Sequence, residues 1–173
     1  MTENKIDEFN EQSLKVRFLT SSLIDVSGEE FSVKEDQILN LPRKLAHLLE
    51  KEGKIIIEYP DVMAELKQTL SKEKMAGEYE LSTIDDFFYL RVNEFLCTLE
   101  GAEKNSFMVF LNELFRMRNG KIIKFASTSP HLLESIFSKL SFEEIDFLKK
   151  INTSSEQLHS SIFPNSKDDD SSV

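Results

Sequence analysis

The stretch NSFMVFLNELFRMRNGKIIKFAS, Asn105 to Ser127, is the longest run in the chain that phases as a single amphipathic helix, and its reading decides the fold. At about 100° per residue, Phe107, Phe110, Leu111, Leu114, Phe115, Ile122, Phe125 and Ala126 fall within an arc of roughly 160°, which predicts a core helix. Asn119-Gly120 interrupts it with the strongest short hairpin signal, and a glycine in a helix interior costs about 1 kcal/mol relative to alanine. Phe115 to Arg118 and Lys121 to Lys124 nonetheless do not alternate as half-buried strands would. One helix with a kink at Gly120 is the expectation.

The same stretch holds Arg116, Arg118, Lys121 and Lys124 against the single acid Glu113, in a chain whose net charge is −10. Arg118 falls inside the apolar arc, so it is expected to be partly buried and paired with a carboxylate or carbonyl, in this chain or another. The competing reading is direct nucleic-acid binding through the basic 116–124 segment. Four charges are too few to establish a DNA site.

Outward from this helix, composition sets the class. The chain has 173 residues, 40% hydrophobic and 30% charged, as expected of one globular domain or two small ones. No apolar run approaches the ~20 residues of a membrane span, and the amino-terminal MTENKIDEFNEQ lacks the apolar core of a signal peptide. An intracellular protein without membrane contact is expected. Cys97, the one cysteine, sits in the apolar run Phe95-Leu96-Cys97 and is read as a buried core thiol. Fourteen Phe with no Trp and five Gly suit helices packed through Phe-rich faces, which can serve a shared core between subunits as readily as a private one.

Residues 1–13 are polar and read as a disordered arm. Lys15 to Thr20, Leu23 to Val26, Glu30 to Val33 and Lys54 to Tyr59 read as short strands. Between the last two, Asn40 is the expected N-cap of a helix with Pro42 in its first turn, Leu41, Leu45, Leu48 and Leu49 on one face, and Gly53 as its stop. Residues 14–60 thus make a small β-rich domain with one short helix. The pattern then switches to three-and-four spacing, giving a helical domain over 61–163. Its helices are Asp61 to about Met75; a second capped at Ser82-Thr83 and carrying Ile84, Phe87, Phe88, Arg91, Val92, Phe95, Leu96 and Leu99; the central helix; His131 to Lys139; and one opened by the capping box Ser141 to Glu144. Leu158, Ile162 and Phe163 are candidates to dock, and 164–173 is read as a disordered acidic tail. The fold class is α+β, a small β-rich amino-terminal domain followed by a mainly α-helical domain.

No residue pattern nominates an enzyme. His47, His131 and His159 lack companions at metal-ligand spacing, and there is no phosphate loop or nucleophile elbow. Asp85-Asp86 suits a first helical turn by its dipole rather than a cation. Neither a catalytic group, a cofactor nor a metal is expected.

The order of elements and three motifs resemble the GINS family of DNA-replication factors, in the archaeal subunit type that carries the small β-rich domain before the helical one. The motifs are Asn40 to Leu49 with Gly53 to Ile57, similar to the family's leucine-proline helix before a strand; Glu113 to Arg118 with Lys121 to Ile123, similar to its central helix; and Leu140 to Glu144, similar to its last capped helix. Gly120 departs from the family's central helix. The resemblance implies a non-catalytic scaffold that assembles with the other GINS subunit as a tetramer, typically two copies each of two related subunits. It implies that the tetramer links an MCM-type replicative helicase ring to a Cdc45/RecJ-type protein and stimulates unwinding, in the cytoplasm at nucleoid-associated replication forks, with DNA contact indirect or weak. Phe87, Phe88, Phe95, Phe107, Phe110, Leu114 and Arg118 are the candidate subunit-interface residues.

Overall fold

A computed structural model of the chain describes residues 2–26, 28–126 and 135–164. The fold is α+β, with a small antiparallel amino-terminal region followed by a mainly helical one, and the chain divides into two compact units, Met1–Val62 and Met63–Val173.

In the first unit, β1 (Ser13–Phe18) is the central strand of a three-stranded antiparallel sheet, between β4 (Ile38–Pro42) and β5 (Ile55–Ile57). Its alternation decides which face is inside: Leu14, Val16 and Phe18 are buried while Ser13, Lys15 and Arg17 are exposed. Strands β2 (Ser22–Val26) and β3 (Glu29–Val33) form a separate two-stranded ladder. Ile24, Val33, Leu41, Ile55 and Ile57 join the β1 residues in one core, closed by Ala46 and Leu49 of helix α2 (Arg43–Lys51). Leu48, expected on that helix's inner face, is exposed.

Two expectations fail here for local reasons. Residues 38–42 are a strand, not a helix start: Asn40 stands opposite Lys15 in the ladder, and Pro42 is tolerated because it ends an edge strand. Helix α2 therefore begins at Arg43, with no side-chain cap at Pro42. Its end is as expected. Gly53, at φ +69°, donates to Glu50 O at 2.9 Å and Lys54 donates to Leu49 O at 3.0 Å, the paired bonds of a Schellman motif. The polar arm 1–13 is likewise not disordered throughout, since Thr2–Glu11 forms helix α1. Phe9 is buried and lies under the Arg43 guanidinium at 3.9 Å from its ring centroid, a contact that polar composition does not reveal.

The second unit contains α3 (Val62–Met75), α4 (Phe88–Thr98), α5 (Gly101–Phe125) and α6 (Phe142–Ile162). The central helix α5 runs unbroken through Gly120. Its buried stripe is narrower than the apolar arc: Phe107, Leu114, Arg118, Lys121 and Ile122 cover about 100°, leaving Phe115 at the margin and exposed. Leu81, Ile122, Ile136, Leu140 and Leu148 form one core cluster of this unit. Cys97 is exposed rather than buried, because the inner face of α4 is that of Phe88 and Val92. The capping box of α6 is complete, Ser141 Oγ accepting from Glu144 N at 3.3 Å and Glu144 Oε2 accepting from Ser141 N at 3.2 Å. Leu158, Ile162 and Phe163 do not dock among the described residues; α6 runs on to Ile162 and leaves them more than half exposed. The expected helix from His131 begins outside the described residues, as does nearly all of the tail 164–173, while residues 135–137 are helical.

Candidate functional site

The interior of the helical unit is organised around the Arg118 guanidinium. Arg118 is fully buried, and all five of its N–H groups are used. Nε and Nη2 grip the Glu144 carboxylate side-on at 2.6 and 2.7 Å. Nη1 donates to Glu73 Oε2 and to Ser82 O, each at 2.8 Å, and Nη2 also donates to Lys139 O at 3.0 Å. The planar fork of arginine makes this possible, since a lysine ammonium offers three donors and no bidentate geometry.

The partners are themselves held. Lys121, one turn further along α5, donates to Glu73 Oε1 at 2.6 Å and to Glu73 O at 3.2 Å. Ser82 gives Glu73 Oε2 both its N–H at 3.1 Å and its hydroxyl at 2.7 Å. Ser82 therefore serves as a ligand to Glu73 and not as the helix cap expected of it, and α4 starts only at Phe88. Tyr89 Oη donates to Glu144 Oε1 at 2.9 Å, so the capping glutamate of α6 also receives α4 and α5. Two cations and two carboxylates make the cluster neutral. Forming such a cluster adds little net stability because desolvation offsets the attraction, but removing one member strands a charge.

Electrostatics follow the geometry. Burial pushes the Glu73 carboxyl up, yet the Lys121 and Ser82 hydrogen bonds and the charge of Arg118 outweigh it and hold the group below the ordinary glutamate range. Tyr89 is pushed well up by burial, then by the Glu144 charge beside it. At the edge of the network, Arg91 bridges Asp85 and Glu65 at 2.6 Å each, so the first acid of Asp85-Asp86 is an ion-pair partner that also accepts from Phe87 N.

Adjoining the network is a cleft of about 200 Å³ lined by Tyr89, Phe115, Asn119, Ile122, Glu143 and Phe147, with Glu144 behind it. Phe115 and Phe147 are exposed there. Glu143 Oε2 is buried and has no hydrogen-bond partner among the described residues. Burial first, then the charges of Glu144 and Asp86, raise the Glu143 carboxyl above its ordinary range despite a bond from Ser141.

These placements redraw the candidate interface. Phe87, Phe88, Phe107, Leu114 and Arg118 are buried within the chain, while Phe95 and Phe110 are half-buried, Phe95 packed against Phe107 with centroids 5.5 Å apart. The three-and-four spacing that nominates them marks the inward face of the helices. Among the described residues, the large apolar side chains left outside include Met75, Tyr79, Val109, Phe115, Ile123, Phe147 and the Leu158–Phe163 end of α6. Glu73 has a signal in the sequence, since it continues the Leu66 and Leu70 register of α3 as a lone acid. Lys121 likewise lies inside the arc that identified Arg118. The capping box marks Glu144 as a cap and carries no sign of its pairing with Arg118.

Among the described residues no group of three or more His, Cys, Asp or Glu is placed to hold a metal ion, and no helix is long and apolar enough to cross a membrane. Residues 59–163, more than half of the chain, match the family described as Sld5, GINS complex protein helical bundle domain. No curated protein matches the chain.

Proposed function

This chain belongs to the GINS family of DNA-replication complex proteins, and from that membership we propose that it is a non-catalytic scaffold subunit, of the archaeal type with its small domain first. In this reading it assembles with the other GINS subunit into a tetramer. That tetramer links the MCM-type helicase ring to a Cdc45/RecJ-type protein at cytoplasmic, nucleoid-associated replication forks and stimulates unwinding.

The observation that carries the proposal is the family match over 59–163. The chemistry of the helical unit supports it: Arg118, Lys121, Glu73 and Glu144 are consumed in pairing one another, while large apolar side chains such as Phe115 and Phe147 face outward. A scaffold needs both properties, a fixed interior and adhesive faces. Nucleic-acid binding by the 116–124 segment loses its basis, since Arg118 and Lys121 are buried and Lys124 pairs with Glu78, leaving Arg116 exposed. In this reading DNA contact is indirect or weak.

Co-expression of the full chain with the second GINS subunit of the same genome, followed by native mass spectrometry and a helicase unwinding assay, tests the proposal. A stoichiometric complex that accelerates unwinding is expected. A chain that stays monomeric at micromolar concentration in the presence of that subunit would overturn it.

A further inference from the structure

The cleft beside the Arg118 network has three properties that together define an occupant. Its volume of about 200 Å³ is below the ~300–1,000 Å³ of small-ligand sites, so it suits one anchoring side chain of a protein. Its walls are the rings of Tyr89, Phe115 and Phe147 with Ile122, an apolar lining that rewards burial of an aliphatic or aromatic group. And it contains a carboxylate oxygen, Glu143 Oε2, that is buried without a hydrogen-bond partner among the described residues, whereas the neighbouring Glu144 is saturated by Arg118, Tyr89 and Ser141. An acceptor removed from water and left unmade is costly, and a donor brought by a partner would relieve that cost.

We propose that this cleft is a docking site for another GINS subunit, taking an apolar side chain from a helix of that subunit while an adjacent lysine or arginine pairs with Glu143. The inference rests on the assembly reading above and adds to it the place and the chemistry. Charge complementarity selects the partner. Glu144 is neutralised within the Arg118 network, so the cleft's own acidity is that of Glu143 with Asp86 near it, and a second copy of a chain with net charge −10 would approach it with like charge, so a distinct, locally basic subunit fits better than self-association.

The test measures affinity between the full chain and the second GINS subunit of the same genome by isothermal titration calorimetry. Glu143→Lys is expected to weaken binding at least about 30-fold, and Glu143→Gln, which keeps the side-chain shape, by a smaller factor. Phe115→Ala is expected to weaken it about tenfold or more, with the fold intact because Phe115 is 55% exposed. Benzoylphenylalanine at position 147 should crosslink to the partner next to a Lys or Arg whose change to Glu restores binding to Glu143→Lys. A complex that forms with unchanged affinity in Glu143→Lys, Glu143→Gln and Phe115→Ala would overturn the cleft assignment and leave the assembly reading standing. Failure of the wild-type chain to bind would remove both. Self-association abolished by Phe115→Ala would assign the cleft to a second copy and overturn the proposal.

Discussion

In the amino-terminal unit, Lys15 and Arg17 meet Glu58 at the surface, and the core beneath is built from Leu14, Val16, Phe18, Ile55 and Ile57. The helical unit places charge in its interior beside its apolar core. Arg118, Lys121, Glu73 and Glu144 lie in the interior, and Phe115, Phe147 and Leu158 are outside. A surface pair in high dielectric contributes almost nothing, because solvation and side-chain entropy offset attraction. A buried pair is also a weak net stabiliser, yet it admits few alternative arrangements, since any slip of α3, α5 or α6 strands a charge. The small unit is thus held by area and the helical unit by area plus a charge lock that specifies which helices lie together.

The largest effect that could break this contrast comes from Arg118→Ala, which leaves two buried carboxylates without their shared cation and is expected to cost roughly 3–5 kcal/mol. Hydrogen exchange of the full chain should show protection lost in residues 63–126 while 13–57 are unchanged. Equal loss in both would mean that the units Met1–Val62 and Met63–Val173 unfold as one.

A smaller, pH-dependent effect separates the two glutamates of the site. Glu73 has a depressed folded pKa, so its contribution is complete above the ordinary glutamate range and is lost as pH falls through the folded value. Glu143 has a raised one, so its charge opposes folding at neutral pH and the penalty disappears as pH falls through that value. Urea unfolding across pH should find a flatter acid limb for Glu73→Gln. For Glu143→Gln it should find a gain at pH 7 that vanishes in acid; a loss at pH 7 would show that the ionised Glu143 is already satisfied in the free chain.

Gly120→Ala sharpens the account of the central helix. Beyond its chain neighbours and the helix's own backbone, no atom lies within 4 Å of the added Cβ, and the residue is outside the left-handed region, so a gain of up to about 1 kcal/mol is expected in a thermal melt. A lowered melting temperature would mean that the helix needs glycine's freedom there. Least of all should Glu58→Gln matter: its unfolding midpoint should equal that of the parent, and a drop comparable to Arg118→Ala would erase the distinction between surface and interior pairs.

Much of this was legible in one dimension. Period two in Leu14, Val16 and Phe18 and period three-and-four after Pro60 identify strand and helix because burial is one-sided in each. Ser141 with Glu144 announces a helix start because both bonds are local. The strand at 38–42 was hidden by Pro42, whose helical meaning and edge-strand meaning share the same residue, and α1 was hidden because its anchor is a single Phe9 under Arg43.

What the sequence by itself determined is therefore the segregated α+β order, the central helix and the fact that Arg118 must be paired, since phase and the cost of an unpaired charge follow from neighbours along the chain. Only the tertiary structure decided with whom it pairs. Glu73 and Glu144 are 45 and 26 residues away, and no local rule distinguishes them from the chain's other acids until α3 and α6 are brought against α5. The same packing decided that Phe107 and Leu114 turn inward while Phe115 stays outside, because the width of the buried stripe depends on how many helices cover it.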